Sequence, residues 1–201
     1  VEDSLRRLNT DYIDLYQTHW FDEYTPVEET LAALDTLVRD GKVRAIGASN
    51  HPTWRLTKAL WQSDVNRLVR YETFQPHYNL LHRAEFEAET RDLCSDQNIS
   101  VIPYSPLAAG LLAGKYTREN WQAQSGGFST RAQGYVKGEH TFDVVDVVVE
   151  IADGHGVPPA QVALAWLLSK PAVDAPIIGT TKLAHLEDAV GAVDVELSAE
   201  E

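Results

Sequence analysis

The chain has 201 residues, of which 44% are hydrophobic and 23% are charged. This length and composition are typical of a globular protein with one core, so we predict a single domain over residues 1–201. Its formal net charge of −13 argues against nucleic acid as a partner, because an acidic surface repels phosphates. No apolar run is long enough to cross a bilayer, so we expect no membrane partner. The single cysteine, Cys94, cannot form an internal disulfide, which favours the cytoplasm and a buried structural thiol.

Short apolar runs that end in polar residues recur along the chain, and helical patterns separate them. We interpret five of these runs as strands: Tyr12–His19, Val43–Asn50, Tyr71–Tyr78, Ile99–Ser105 and Ala175–Thr181. Alternating strands and helices are typical of an α/β protein with a parallel sheet, and a closed (β/α)8 TIM barrel needs eight strands. The sequence therefore predicts an incomplete barrel with about five parallel strands.

Helix boundaries are marked by proline and by capping residues. A capping box at Thr25–Glu28 predicts that one helix begins there, and Pro52 and Pro159 mark two others. Further helices are predicted at Val1–Leu8, Ala84–Gln97, Phe142–Ile151 and Leu183–Val193. The stretch Gly114–His140 has little periodicity and is predicted to be a functional or disordered loop. A chain that lacks methionine and begins inside a helical pattern is predicted to be part of a longer protein.

The polar residues at the ends of the predicted strands are candidates for a site, because such ends converge at one mouth of a barrel. They are His19, Ser49-Asn50, Gln75, Tyr104-Ser105 and Gly179-Thr180-Thr181. This set is rich in neutral hydrogen-bonding groups, poor in carboxylates and without metal-ligand spacing. It suits a polar uncharged ring and a phosphate better than metal-assisted hydrolysis or a glycosidase carboxylate pair.

Each candidate also has a purely structural interpretation. The histidine could be satisfied by a neighbouring backbone group, the Ser-Asn pair could form a turn and helix cap, and the glutamine could simply end its strand. The tyrosine could belong to the core, and the threonines could cap the last helix. Lys115 could reach a phosphate or lie free in solvent. Trp20 and Trp121 could line an apolar pocket, although packing is the default for such side chains.

Six segments, in this order, resemble the aldo-keto reductase family. They are SLRRLNTDYIDLYQTHW, EETLAALDTLVRDGKVRAIGASN, FQPHYN, VIPYSPLAAGLLAGKY, GVPPAQVALAWLL and PIIGTTKLAHLEDAVGA, and they cover nearly the whole chain. The resemblance implies a (β/α)8 barrel that binds NADPH (NADP) without a Rossmann fold. It also implies reduction of an aldehyde or ketone, so the expected partner is a small carbonyl substrate.

The resemblance also implies roles for individual residues. His19 is similar to the histidine that orients the substrate carbonyl and assists proton transfer, whereas the family's catalytic Asp, Tyr and Lys have no counterpart here. Ser49, Asn50 and Gln75 resemble the residues that bind the nicotinamide carboxamide, and Tyr104 resembles the aromatic residue that stacks on the ring. The pyrophosphate loop would comprise Ser105, Leu107, Gly110 and Lys115. The segment that binds the adenosine and its 2′-phosphate would comprise Gly179, Thr180, Thr181, His185 and Asp188.

The last segment departs from the family pattern, which leaves the preference between NADPH and NADH open. Ala189 stands where the family usually has Asn, His185 stands where Gln or Arg is common, and Asp188 is shorter than the usual Glu.

The implied reaction is hydride transfer from the cofactor to the carbonyl carbon, with a proton supplied to the oxygen. One alternative is a truncated, catalytically inactive module that binds a nucleotide or a protein. A weaker alternative is a phosphate-binding isomerase, for which no Lys or Glu base stands at a predicted strand end. If the barrel is incomplete, its open sheet edges predict an oligomer.

Overall fold

The computed structural model describes residues 1–121 and 127–201, and for residues 127–129 it describes the backbone alone. The chain forms two compact units, one of residues 1–76 and 87–101 and the other of residues 77–86 and 102–201. A single domain over residues 1–201 stays a prediction.

The first unit contains a sheet of four parallel strands in the order β1-β2-β3-β4. The strands are β1 (Ile13–Thr18), β2 (Val43–Ser49), β3 (Tyr71–Gln75) and β4 (Ser100–Val101). The helices that accompany them are α1 (Glu2–Leu8), α2 (Val27–Arg39), α3 (Thr53–Asn66) and α4 (Arg91–Asp96), the last preceded by a π-helical turn (Phe86–Thr90).

One face of the sheet forms the apolar core of the first unit. Ile46 and Ala48 of β2 are fully buried, as are Leu31 of α2 and Leu56 of α3. Helix α2 packs on β2, and α3 packs on α2. Because side chains alternate along a strand, the neighbouring position Gly47 belongs to the opposite face of β2.

The second unit is helical around an apolar cluster that includes Leu111, Leu112 and Phe142. Its elements are a 3₁₀ segment (Ala108–Ala113), α5 (Gly127–Gln133), α6 (His140–His155), α7 (Pro159–Leu168), α8 (Leu183–Val190) and a second 3₁₀ turn (Gly191–Asp194).

The predicted fifth strand is absent from the described residues, which hold four strands. Residues 175–180 have no strand pairing, and a single bond joins the Ile177 amide to the Pro103 carbonyl at 2.8 Å. Pro176 has no N–H to donate, so a regular ladder cannot continue through this run. The fourth strand is also shorter than predicted, because Ile99–Pro103 reduces to the two residues of β4.

One predicted helix feature is wrong. The capping box at Thr25 does not form, because the Thr25 hydroxyl donates to the Asp22 carboxylate at 2.7 Å and Pro26 takes the N-cap position. The helix predicted over Ala84–Gln97 is confirmed, since residues 84–96 are helical, with the π-helical turn inside the helix before α4. The predicted loop Gly114–His140 contains α5, and its residues 122–126 lie outside the described residues.

No helix in the part of the chain that the structure describes is both long and apolar enough to cross a membrane.

Cys94 is predicted to be unreactive in the native protein. It is 1% exposed in α4, and burial raises the pKa of its thiol to about 12. Because the thiolate is the nucleophile, we expect iodoacetamide at about pH 8 to leave Cys94 unmodified until denaturant is added. Peptide mass spectrometry measures this directly, and modification of the native protein at Cys94 would contradict the prediction.

Candidate active site

The carboxyl ends of β1, β2 and β3 meet at one edge of the sheet. Thr18 pairs with Ala48, and Ser49 pairs with Gln75. His19 follows β1 directly and is exposed, whereas Ser49 is only 2% exposed. The structure thus brings together the candidate residues of the first three strands.

A continuous chain of hydrogen bonds joins these strand ends. The Asn50 side-chain amide donates to the His19 carbonyl at 2.9 Å and to the Ser49 hydroxyl at 3.0 Å. The Ser49 hydroxyl in turn donates to the Gln75 carbonyl at 2.9 Å. Asn50 has a φ of 55°, in the left-handed region that asparagine tolerates well. The helix-cap interpretation of this pair is wrong, because α3 begins after Pro52 without a side-chain cap.

The His19 imidazole is available for chemistry. Within residues 1–121 and 127–201 the ring has no hydrogen-bond partner, so the interpretation of a histidine satisfied by the backbone does not hold. Its nearest aromatic neighbour is Trp20, with ring centroids 6.0 Å apart, and the Trp20 side chain is 64% exposed. An exposed indole beside an exposed imidazole can contact an apolar substrate group.

Two residues behind this edge were missed by the sequence analysis. His51 is buried, its Nδ1 lies 2.9 Å from the Ser49 carbonyl, and burial lowers the pKa of its imidazole. Because a carbonyl only accepts hydrogen bonds, Nδ1 carries the proton. The guanidinium of Arg55 lies 4.4 Å from the centre of the Phe21 ring and donates to the Asp22 carbonyl, so it fastens the loop after His19. Because His51 and Arg55 follow Ser49-Asn50 closely in the sequence, that closeness was the signal by which they could have been found.

In the second unit, the residues after Tyr104 form a tight turn with several left-handed backbone positions. Ser105, Ala108 and Ala109 have φ values of 55°, 46° and 55°, and Gly110 reaches 97°. The last value strongly favours glycine, because a side chain would be strained there. The Leu107 carbonyl accepts hydrogen bonds from the amides of Gly110 at 2.8 Å and Leu112 at 3.3 Å.

Left-handed turns of this kind direct backbone N–H groups toward a common point and form anion-binding concavities. Lys115 follows the turn and is exposed, and its ammonium lies 5.3 Å from the centre of the Tyr116 ring. The turn and the lysine together suit a phosphate.

Tyr104 belongs to a stack of three nearly parallel rings. The His77 ring lies 4.9 Å from the Tyr104 ring with 13° between planes, and 4.0 Å from the His82 ring with 16° between planes. The backbones of His77 and Tyr104 also pair as an isolated parallel bridge. The sequence analysis missed His77 and His82, although both follow Gln75 closely. One face of Tyr104 is therefore supported by an imidazole.

His77 is predicted to stay neutral and to weaken the fold in acid. Burial, together with the smaller effect of the neighbouring His82 and against the opposing effect of Glu85, lowers the pKa of His77 to about 4. Between pH 6.5 and about 4 the unfolded chain therefore binds more protons than the folded chain, so stability is lost as pH falls through this window. NMR titration of the His77 ring measures its pKa directly, and a value near 6.5 would contradict the prediction.

Residues Gly179, Thr180, Thr181 and His185 are exposed around the start of α8, and Asp188 is half-buried. The Thr180 hydroxyl accepts from the Lys182 amide at 3.2 Å and donates to the Lys182 carbonyl at 3.1 Å. Lys182 occupies the N-cap position, and no side chain caps the helix, so the threonine-cap interpretation is wrong. The first amides of α8 have no partner within the helix, as at any helix start, and such groups attract anions.

The sequence profile of the Aldo/keto reductase family matches residues 1–201, and the chain belongs to that family. The fold of this family is a (β/α)8 barrel, and four parallel strands are consistent with part of one.

Three curated relatives show how much of a family member the chain represents. It is 40% identical to aldo-keto reductase dtxS3 of Metarhizium robertsii, over all of this chain and 54% of the relative. It is 38% identical to YrpG of Bacillus subtilis, named an uncharacterized oxidoreductase, over all of this chain and 59% of the relative. It is 37% identical to versiconal hemiacetal acetate reductase of Aspergillus parasiticus, over all of this chain and 58% of the relative. The chain therefore spans little more than half the length of these relatives.

Proposed function

We propose that the protein is an oxidoreductase that uses NADPH to reduce an aldehyde or ketone to an alcohol. The observation that carries this proposal is the hydrogen-bond chain from the His19 carbonyl through Asn50 and Ser49 to the Gln75 carbonyl. It holds the Asn50 side-chain amide and the Ser49 hydroxyl in place beside an exposed imidazole, and these are polar groups of the kind that a nicotinamide carboxamide and a carbonyl substrate require. Family membership and relatives named as reductases support the same conclusion.

The residues present fit a dinucleotide cofactor by their chemistry. Ser49, Asn50 and Gln75 would hold the carboxamide, and Tyr104 would stack on the nicotinamide ring. The left-handed turn from Ser105 to Gly110, with Lys115 after it, would hold the pyrophosphate. The bound cofactor supplies a hydride.

The proposed 2′-phosphate segment carries opposing charges. Lys182 and His185 offer cationic or donor groups near the start of α8, while Asp188 adds a carboxylate one turn further along. The open amides of the first helical turn add a fixed positive potential. We propose NADPH rather than NADH because Lys182, His185 and the open amides lie at the start of α8, whereas the carboxylates of Glu187 and Asp188 follow about one turn later.

In this proposal the His19 imidazole orients the substrate. A ring N–H donates to the carbonyl oxygen, which polarises the carbonyl and assists proton transfer to that oxygen. Asn50 fixes the backbone at His19, so the imidazole starts from a defined position at the end of β1. The buried thiol of Cys94 is compatible with a reducing compartment, and we propose the cytoplasm.

Two measurements on the full-length protein test the proposal. NADPH and NADH are first titrated while nucleotide fluorescence is followed, and a panel of aldehydes and ketones is then screened for oxidation of NADPH. We expect saturable binding with preference for NADPH, and turnover with at least one carbonyl. Binding without turnover would favour the nucleotide-binding module, and the absence of binding would overturn the proposal.

A further inference from the structure

The ring stack that supports Tyr104 is tied to a residue far away in the sequence. The Tyr135 hydroxyl lies 2.6 Å from Nε2 of His77, across a separation of 58 residues. The Tyr135 ring also meets the His77 ring edge-on, at 5.4 Å between centroids and 79° between planes. Tyr135 thus fixes both the position and the rotation of the imidazole on which Tyr104 is stacked.

The same hydroxyl holds the turn that begins after Tyr104. Burial raises the pKa of the Tyr135 phenol, and hydrogen bonds with the side chains of Ser105 and Asn79 oppose that rise. Asn79 is fully buried and donates to the Ser105 carbonyl at 2.9 Å, while its Oδ1 accepts from the Leu81 amide at 2.9 Å. A phenol has one proton and two acceptor positions, so three partners saturate it.

We propose that Tyr135 is a positioning residue for the cofactor site. It holds Tyr104 indirectly, through His77, and it holds Ser105 directly. This inference rests on the proposed function, in which Tyr104 stacks on the nicotinamide and Ser105 belongs to the pyrophosphate turn. Tyr104 and Ser105 are consecutive, so one hydroxyl sets the position of both groups. Tyr135 is contributed by the stretch between Gly114 and His140, which this contact connects to the cofactor residues.

The test replaces Tyr135 by phenylalanine in the full-length protein, which removes the hydroxyl and keeps the ring against His77. The matched control is Tyr71→Phe. Tyr71 is buried, whereas Tyr135 is half-buried, and like Tyr135 it meets a histidine edge-on, His51 at 5.9 Å, and its hydroxyl contacts Thr18 at 3.4 Å. We expect the dissociation constant for NADPH to rise about fivefold to tenfold in Tyr135→Phe and to stay near that of the unmodified protein in Tyr71→Phe.

A second comparison shows whether Tyr135 acts through its partners. His77→Phe keeps a ring in the stack but removes the nitrogen that is hydrogen-bonded to the Tyr135 hydroxyl. If Tyr135 positions Tyr104 through His77, the two substitutions remove one shared interaction. Tyr135→Phe should then weaken NADPH binding less when it is added to the His77→Phe variant than when it is made in the unmodified protein. We also expect the KM for NADPH to rise by a larger factor than kcat falls. Unchanged NADPH affinity in Tyr135→Phe would overturn the inference.

Amide hydrogen exchange over residues 104–107, without cofactor, separates this inference from the proposed function. Faster exchange in Tyr135→Phe than in Tyr71→Phe supports the positioning role, and equal exchange overturns it. If the unmodified protein does not bind NADPH, the proposed function fails, and the exchange measurement still decides the role of Tyr135.

Discussion

Replacing His19 by glutamine in the full-length protein is expected to lower kcat for carbonyl reduction by about 10²–10⁴-fold, the range typical of a positioned acid–base group. Affinity for NADPH should change little. The reason lies in the hydrogen-bond chain at the strand ends, because Asn50 bonds to the backbone carbonyl of His19 and not to its ring. The substitution therefore removes the imidazole and leaves the proposed carboxamide-binding residues in place.

The control for this variant is His140→Gln. His140 is exposed at the start of α6, in the second unit, and has no place in the proposed site. We expect it to retain the kcat of the unmodified protein. Steady-state kinetics and a fluorescence titration with NADPH measure the two effects separately. A His19→Gln enzyme with unchanged kcat would show that the imidazole takes no part in the reaction.

Replacing Gly47 by alanine is expected to destabilise the protein by about 1–3 kcal/mol, the usual range for overpacking. A Cβ at this position would lie 2.2 Å from the Thr73 hydroxyl oxygen and 3.0 Å from Cγ of Gln17. These residues belong to the two strands that flank β2, in register with Gly47. The clash would therefore push apart the strands that bring Ser49 beside Gln75.

Thr73→Ala should rescue this variant. The Thr73 hydroxyl is buried and has no hydrogen-bond partner among the described residues, so its removal breaks no hydrogen bond there and opens space for the new methyl group. Gly154→Ala is the matched control, since Gly154 lies in α6 with open space around it. There alanine should stabilise the helix by about 0.5–1 kcal/mol. Urea unfolding measures all three variants. Full stability of Gly47→Ala, or failure of Thr73→Ala to restore it, would contradict the steric explanation.

The alternation of strands and helices could be predicted from the sequence because it depends on the types of residues that are close together along the chain. Apolar runs such as Val43–Ser49 and proline-marked helix starts such as Pro52 depend on neighbouring residues alone. The predicted strand near Ile177 failed because a strand also needs a partner, and Pro176 interrupts the hydrogen bonding there. The predicted cap at Thr25 failed because Pro26 takes the N-cap position, while the Thr25 hydroxyl donates to Asp22.

The candidate site divides in the same way. The polar residues at the ends of β1, β2 and β3 could be predicted to meet, because parallel strands place their carboxyl ends at one edge. Their order in the hydrogen-bond chain could not, because it depends on the left-handed backbone at Asn50 and on the register of Ser49 with Gln75.

The sequence by itself determined the family of this protein, its α/β class and the candidate residues at the strand ends, because these depend on residue type and spacing. Only the tertiary structure decided which groups support those candidates. Arg55 holds the loop after His19 through the Asp22 carbonyl and the Phe21 ring, and Tyr135 reaches His77 across 58 residues. Such contacts join residues that are distant along the chain, and no local pattern encodes them, so packing alone brings them within bonding distance.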